Sequence, residues 1–145
     1  MLNYRKIRAA LMKKFEKGNE ISYCAKDDAL YVAIFDFMLV RFPPNENPYD
    51  VTCWNAVPGM ERNLEDVNRE HQLTVTNRYQ YGMDDMLHLL STKEKTAWIS
   101  ERAFSLLAKA DDCDFFLSED GKRVWFVRKD TGDVEAVVMA AHVEE

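Results

Sequence analysis

Residues 96–143 read TAWISERAFSLLAKADDCDFFLSEDGKRVWFVRKDTGDVEAVVMAAHV, and this stretch decides the fold. Thr96-Ala97-Trp98-Ile99 has the composition of a short strand, and Ser100 is a good helix N-cap, because its hydroxyl can accept from an otherwise unpaired amide of the first turn. Ala103, Phe104, Leu106, Leu107 and Ala110 then give a helix its buried stripe. Cys113-Asp114-Phe115-Phe116-Leu117 predicts a strand, Asp120-Gly121 a hairpin turn, and Arg123-Val124-Trp125-Phe126-Val127-Arg128 the return strand. Lys129 to Asp133 turns the chain again, and Val134 to Val143 is a final apolar strand. The expectation is strand, helix, three-stranded meander.

The other end has the same order. Tyr4, Ile7, Leu11 and Phe15 recur at helical spacing between Tyr4 and Lys17, and Gly18-Asn19 supplies the stop. Ile21 to Lys26, Leu30 to Phe35 and Phe37 to Phe42 follow as β-rich runs, broken at Asp27-Asp28 and at Asp36, a tight turn or a bulge. Helix-plus-meander units are common enough for two to coincide. The alternative is a pseudo-symmetric domain of two βαβββ modules, sheets outward and helices packed together. Residues 1–44 and 95–145 would be the modules. Phe15, Leu30, Val32, Phe104, Leu107, Phe115, Val124 and Val138 are the expected core.

Residues 45–94 are less regular. Asn45 to Asp50 predicts a loop, and Glu61 to Glu70 is either a short exposed helix or disordered. Leu73, Val75, Asn77, Tyr79 and Tyr81 alternate with polar residues, which predicts a strand with one wet face. Met83, Met86, Leu87 and Leu90 return to helical spacing, with Asp84-Asp85 near the helix start.

Composition narrows the class. The chain has 145 residues, enough for one domain with its own core, and 47% hydrophobic residues argue against disorder. No apolar run approaches the roughly 20 residues of a membrane span. The opening Met1-Leu2-Asn3-Tyr4-Arg5-Lys6 lacks an apolar leader, which points to the cytoplasm. Cys24, Cys53 and Cys113 are far apart and lie near no histidine, so neither disulfides nor zinc are expected. No phosphate-binding glycine motif, HExxH or GxSxG is present. The scattered histidines, His142 among them, form no catalytic constellation. The aspartates at 27, 28 and 36 and at 111, 112 and 114 lack EF-hand spacing and are expected at turns. No enzyme activity, cofactor or metal is expected.

Charge is the more informative signal. The net charge is -6, yet Arg5, Lys6, Arg8, Lys13, Lys14 and Lys17 against Glu16 alone give the first 19 residues +5, leaving -11 for the rest. Lys6, Lys13 and Lys17 share the helix face opposite the apolar stripe, with Arg5 and Lys14 beside them. Arg102 and Lys109 share the outer face of the second expected helix. Packed side by side, the two helices would merge these faces into one basic stripe, either a solvated surface or a contact for phosphates or an acidic protein.

The stretch from Thr96 to Leu107 resembles the strand–helix opening of a module of the bacterial sliding clamp, the DNA polymerase III β subunit. Val134 to Val143 is similar to the last strand of those clamps, with Ala140 where the family has proline. Leu30 to Val40 is similar to a strand–Asp–Gly–strand segment of the family, with Phe37 at the glycine position. The resemblance implies an α+β, DNA-clamp-like domain, βαβββ twice, whose helices face DNA. Clamps of that family carry three such domains per chain, so a single domain would need six copies to close a ring.

Two functions follow as expectations. The first is a non-enzymatic clamp-like domain that binds DNA, or a replication or defence protein, with Arg5, Lys6, Lys13, Lys14, Lys17, Arg102 and Lys109 as the nucleic-acid face. The second is a compact acidic interaction protein, of a phage or another mobile element, that inhibits a nucleic-acid-binding enzyme. Neither involves a membrane, and both leave a monomer or a dimer open.

Overall fold

A computed structural model describes residues 2–27, 29–35, 37–43, 54–82, 85–107 and 110–141. The chain is α+β; among the described residues ten strands are hydrogen-bonded into one sheet, with two α-helices. Helix α1 (Tyr4–Glu16) leads into β1 (Ser22–Lys26), β2 (Ala29–Ile34) and β3 (Met38–Arg41). The two-residue β4 (Asn55–Ala56) and a 3₁₀ turn at Met60–Leu64 follow, then β5 (Gln72–Gly82), β6 (Asp85–Ser91) and β7 (Thr96–Ser100). Helix α2 (Glu101–Phe104) precedes β8 (Cys113–Leu117), β9 (Arg123–Arg128) and β10 (Val134–Met139).

Both expected meanders are present, and they meet edge to edge. The strand order is β4-β1-β2-β3-β10-β9-β8-β5-β6-β7, with β3 and β10 antiparallel through Val40–Ala136, Leu39–Val137 and Met38–Val138. At the far end Trp98 of β7 bridges Ala141, just beyond β10. The strands from β10 to β7 therefore curl until the last meets the end of the first. The bend is taken up in β5, where the β6 register shifts between Val75 and Tyr79.

Alternation along the strands builds two cores. On the helix side Ile7 and Leu11 pack with Val32, Val40, Phe115, Phe126 and Val138. The opposite side holds Tyr31, Leu39, Phe116, Trp125 and Val137 under Leu64 of the 3₁₀ turn. That turn is pinned by Trp125 Nε1 donating to the Asn63 carbonyl at 2.9 Å and Lys26 Nζ donating to the Leu64 carbonyl at 2.8 Å. Glu135 is buried on β10, where Oε2 has no hydrogen-bond partner among the described residues and Arg128 stands 3.9 Å from Oε1. Burial raises its pKa, and Arg41 and Arg128 only partly offset this.

The structure departs from the sequence-based expectations at several elements. Residues 85–91 form a strand, not a helix: Leu87, His88, Leu89 and Leu90 are all buried, so both faces are covered and no alternation shows. Helix α2 stops at Phe104 instead of running to Ala110, because the Leu106 carbonyl accepts from Asn3 N and Leu107 bridges Leu2. The final strand ends at Met139 instead of reaching Val143. Phe15 is 59% exposed, because contact between α1 and the sheet ends with Leu11, a turn before the helix does. Val32, Phe115, Val124 and Val138 are in the core as expected, with Leu30, Phe104 and Leu107 partly buried against it. Cys24 and Cys113 are buried free thiols, and burial above all raises the Cys24 pKa to about 11. Asp28, Asp36, Cys53, Lys109 and His142 lie outside the described residues. Among the described residues, no helix is long and apolar enough to cross a membrane.

The contrast along α1 is testable. Ile7→Ala should destabilise the protein by about 2–5 kcal/mol, the usual range for an emptied core site. Phe15→Ala should stay within about 0.5 kcal/mol of the parent. Chemical denaturation of both variants checks the expectation; equal losses would place Phe15 in the core after all.

Candidate nucleic-acid interface

Helix α1 begins at Asn3, whose side chain accepts from Lys6 N at 3.3 Å. Past its last residue, Glu16, the chain turns away at Gly18, whose φ of 75° favours glycine. Lys13 and Lys14 occupy the last turn, where cations complement the partial negative charge of the free carbonyls. Ile7 and Leu11 turn to the sheet, which leaves Lys6, Lys13 and Lys17 along one flank.

That flank forms one wall of an open groove of about 770 Å³. Lys6, Lys13, Lys14 and Lys17 line it from α1, and Arg102 and Ser105 line it from α2 and the turn after it. Ile34 and Phe35 at the end of β2 contribute apolar surface, and Glu20 is the one acid of the lining among the described residues. Lys6 Nζ donates to the Ser105 carbonyl at 3.1 Å, tying the two walls together. Lys13 and Lys17 are exposed, with no ionic partner among the described residues.

Arg102 is held differently. Its Nε and Nη2 each lie 3.2 Å from Asp85 Oδ2, and its guanidinium sits 5.2 Å from the centroids of both Phe35 and Phe37. The Ser100 hydroxyl accepts from Arg102 N at 3.2 Å and donates to the same Asp85 oxygen. Burial of Asp85 opposes its charge, yet the hydrogen bonds from Ser100 and Arg102 outweigh it and hold the carboxyl below its ordinary value. Phe35 has φ 59°, a left-handed conformation that is strained for a bulky side chain. The Phe35–Phe37 stack at 5.8 Å and the guanidinium over both rings hold it there.

The structure thus gathers five of the seven expected cations, Lys6, Lys13, Lys14, Lys17 and Arg102, in one groove. Arg5 is exposed on α1 outside the lining, and Lys109 is not described. Three features were missed. Phe35 and Phe37 were expected only as strand residues. Tyr79 and Tyr81 were expected on the covered face of β5 but are 53% and 66% exposed. His88, buried on β6, has Nδ1 2.9 Å from Glu101 Oε2 and Nε2 against the Thr76 carbonyl. No spacing in the chain pairs it with either partner.

Glu70, His71 and Glu119 bring ligand-type atoms within 4.8 Å of one another on the surface. Lys95 Nζ lies 3.3 Å from His71 Nε2, and Asn68 Nδ2 donates to Glu119 Oε2 at 2.9 Å. An ammonium at the ring nitrogen opposes a second cation there.

Comparison with family models, curated proteins and solved structures returned no match.

Asp85→Asn removes the charged half of the Arg102 anchor. Stability should fall by roughly 1 kcal/mol at neutral pH. Because the folded-state pKa of Asp85 lies below 3.8, the parent keeps this contribution above that value and loses it as pH falls through the depressed one. Parent and variant melting curves should converge in strong acid; a constant gap down the whole pH range would show that the charge does not matter.

Proposed function

We propose that this chain is a non-enzymatic binding domain that holds DNA by its phosphates, in the manner of a single clamp-like domain. The observation that carries the reading is the groove: among the described residues, four lysines and an arginine line it against a single acid, in a chain of net charge -6. Cations clustered on an otherwise acidic protein concentrate polyanions locally and release their counterions on contact. The clamp-like reading draws support from two helix-then-three-strand units, α1 with β1–β3 and α2 with β8–β10, which β4–β7 separate in the chain, and from the edge-to-edge meeting of the two meanders. A groove this short meets only a few phosphates. Without ring closure, affinity belongs in the range of non-specific contacts, roughly 10⁻⁴–10⁻⁶ M.

The excess of acid elsewhere favours the second reading, an acidic protein that occupies a nucleic-acid site on an enzyme. The two differ in which charges matter. Replacing Lys6, Lys13 and Lys17 together by Glu should preserve the fold, since none is buried, and should abolish a gel shift that the parent gives at low salt. The parent's affinity should fall steeply as salt rises. A parent that shifts no DNA even at low salt would end this proposal and leave the acidic inhibitor.

A further inference from the structure

The ribbon of β5 and β6 carries its aromatic face out of the core. Tyr79 pairs with His88 and Tyr81 with Met86 across the ribbon, so the four side chains share one face. Tyr79, Tyr81 and Met86 are 53%, 66% and 43% exposed. Tyr79 is nevertheless rigidly backed. Its ring lies 4.3 Å from that of His88, which Glu101 and the Thr76 carbonyl hold from either nitrogen and Phe104 flanks at 4.7 Å. Glu101 opens α2, and the next residue, Arg102, lines the basic groove. His88 and Glu101 thus link the supported tyrosine to the residue that precedes Arg102 in the groove wall.

From this juxtaposition we propose that the groove takes single-stranded DNA in preference to duplex, with Tyr79 and Tyr81 as stacking platforms for its bases. The inference rests on the DNA reading above and narrows it. Charge complementarity selects a polyanion, and the exposed rings select one whose flat faces are free. In a duplex the bases are stacked inward and offer only phosphates to such a surface. In a single strand each base presents a face to an aromatic ring while the backbone follows the lysines. Phe35, beneath Arg102, adds a separate aromatic ring within the groove itself.

Fluorescence anisotropy with a labelled oligo-dT of roughly 16 nucleotides, and with a duplex of equal length, tests this at low salt. The parent should bind oligo-dT at least about fivefold more tightly than duplex. Tyr79→Ala with Tyr81→Ala should weaken oligo-dT binding about tenfold and leave duplex binding unchanged. Tyr81→Ala alone, at the more exposed position, should weaken oligo-dT binding in the same direction should the double variant fail to fold. Lys13→Glu with Lys17→Glu should weaken both probes. Equal or tighter duplex binding by the parent would overturn this inference and leave the DNA reading standing, as would folded tyrosine variants that bind oligo-dT like the parent. Concentration-dependent dimerisation abolished by the tyrosine substitutions, with oligo-dT binding unchanged, would assign the patch to a second copy and also overturn it. Failure of the parent to bind either probe overturns both readings.

Discussion

The backbone pairing of β3 with β10 is the contact on which the rest of the molecule depends. Met38, Leu39 and Val40 meet Val138, Val137 and Ala136 across about two thirds of the chain's length. Their side chains feed both cores: Val40, Ala136 and Val138 on the helix side, Leu39 and Val137 on the other. Closing so long a loop adds an entropic cost that grows only slowly with its length. The apolar surface buried on both faces of the seam repays it. Once the meanders are joined, Asn3 N reaches the Leu106 carbonyl at 2.6 Å and Leu2 pairs with Leu107. Those two contacts bring α1 to α2 and turn separate cations into one groove.

Within that groove the cations differ in kind. Arg102 is fixed by Asp85, Ser100 and two phenylalanine rings, and part of its charge is spent internally. Lys13 and Lys17 stay exposed, as flexible point charges suited to phosphates without demanding one geometry. A fixed arginine beside mobile lysines fits a surface that positions a backbone without reading sequence. The acidic remainder of the chain keeps the net charge negative, and at physiological salt its distant charges are screened beyond about 8 Å.

Much of this architecture is legible in the sequence, for identifiable reasons. The two meanders show because their strands are short runs rich in β-branched and aromatic residues, and because their turns carry Asp-Gly or paired aspartates. Helix α1 shows because its apolar residues keep one spacing and its glycine stop is plain. What fails is whatever depends on partners distant in sequence. Residues 87–90 are buried on both faces, so their periodicity cannot tell strand from helix. The early end of α2 follows from a bridge to Leu2, which nothing near Leu107 announces. Alternation puts Tyr79 and Tyr81 on one face of β5 but cannot say whether anything covers it. The cationic stripe is visible as spacing on α1, and its meeting with Arg102 follows once the two helices are taken to pack side by side, whereas the aromatic rings around that arginine come together only in the folded chain.

The central claim is that the flank of α1 and the start of α2 form one surface for DNA. Amide hydrogen–deuterium exchange with and without DNA at low salt tests it most directly. Protection should rise in segments 4–17 and 100–107 and stay unchanged over the 3₁₀ turn at Met60–Leu64, which covers the opposite face of the sheet. Protection confined to that turn or to the β9–β10 connection, with α1 unaffected, would contradict the account.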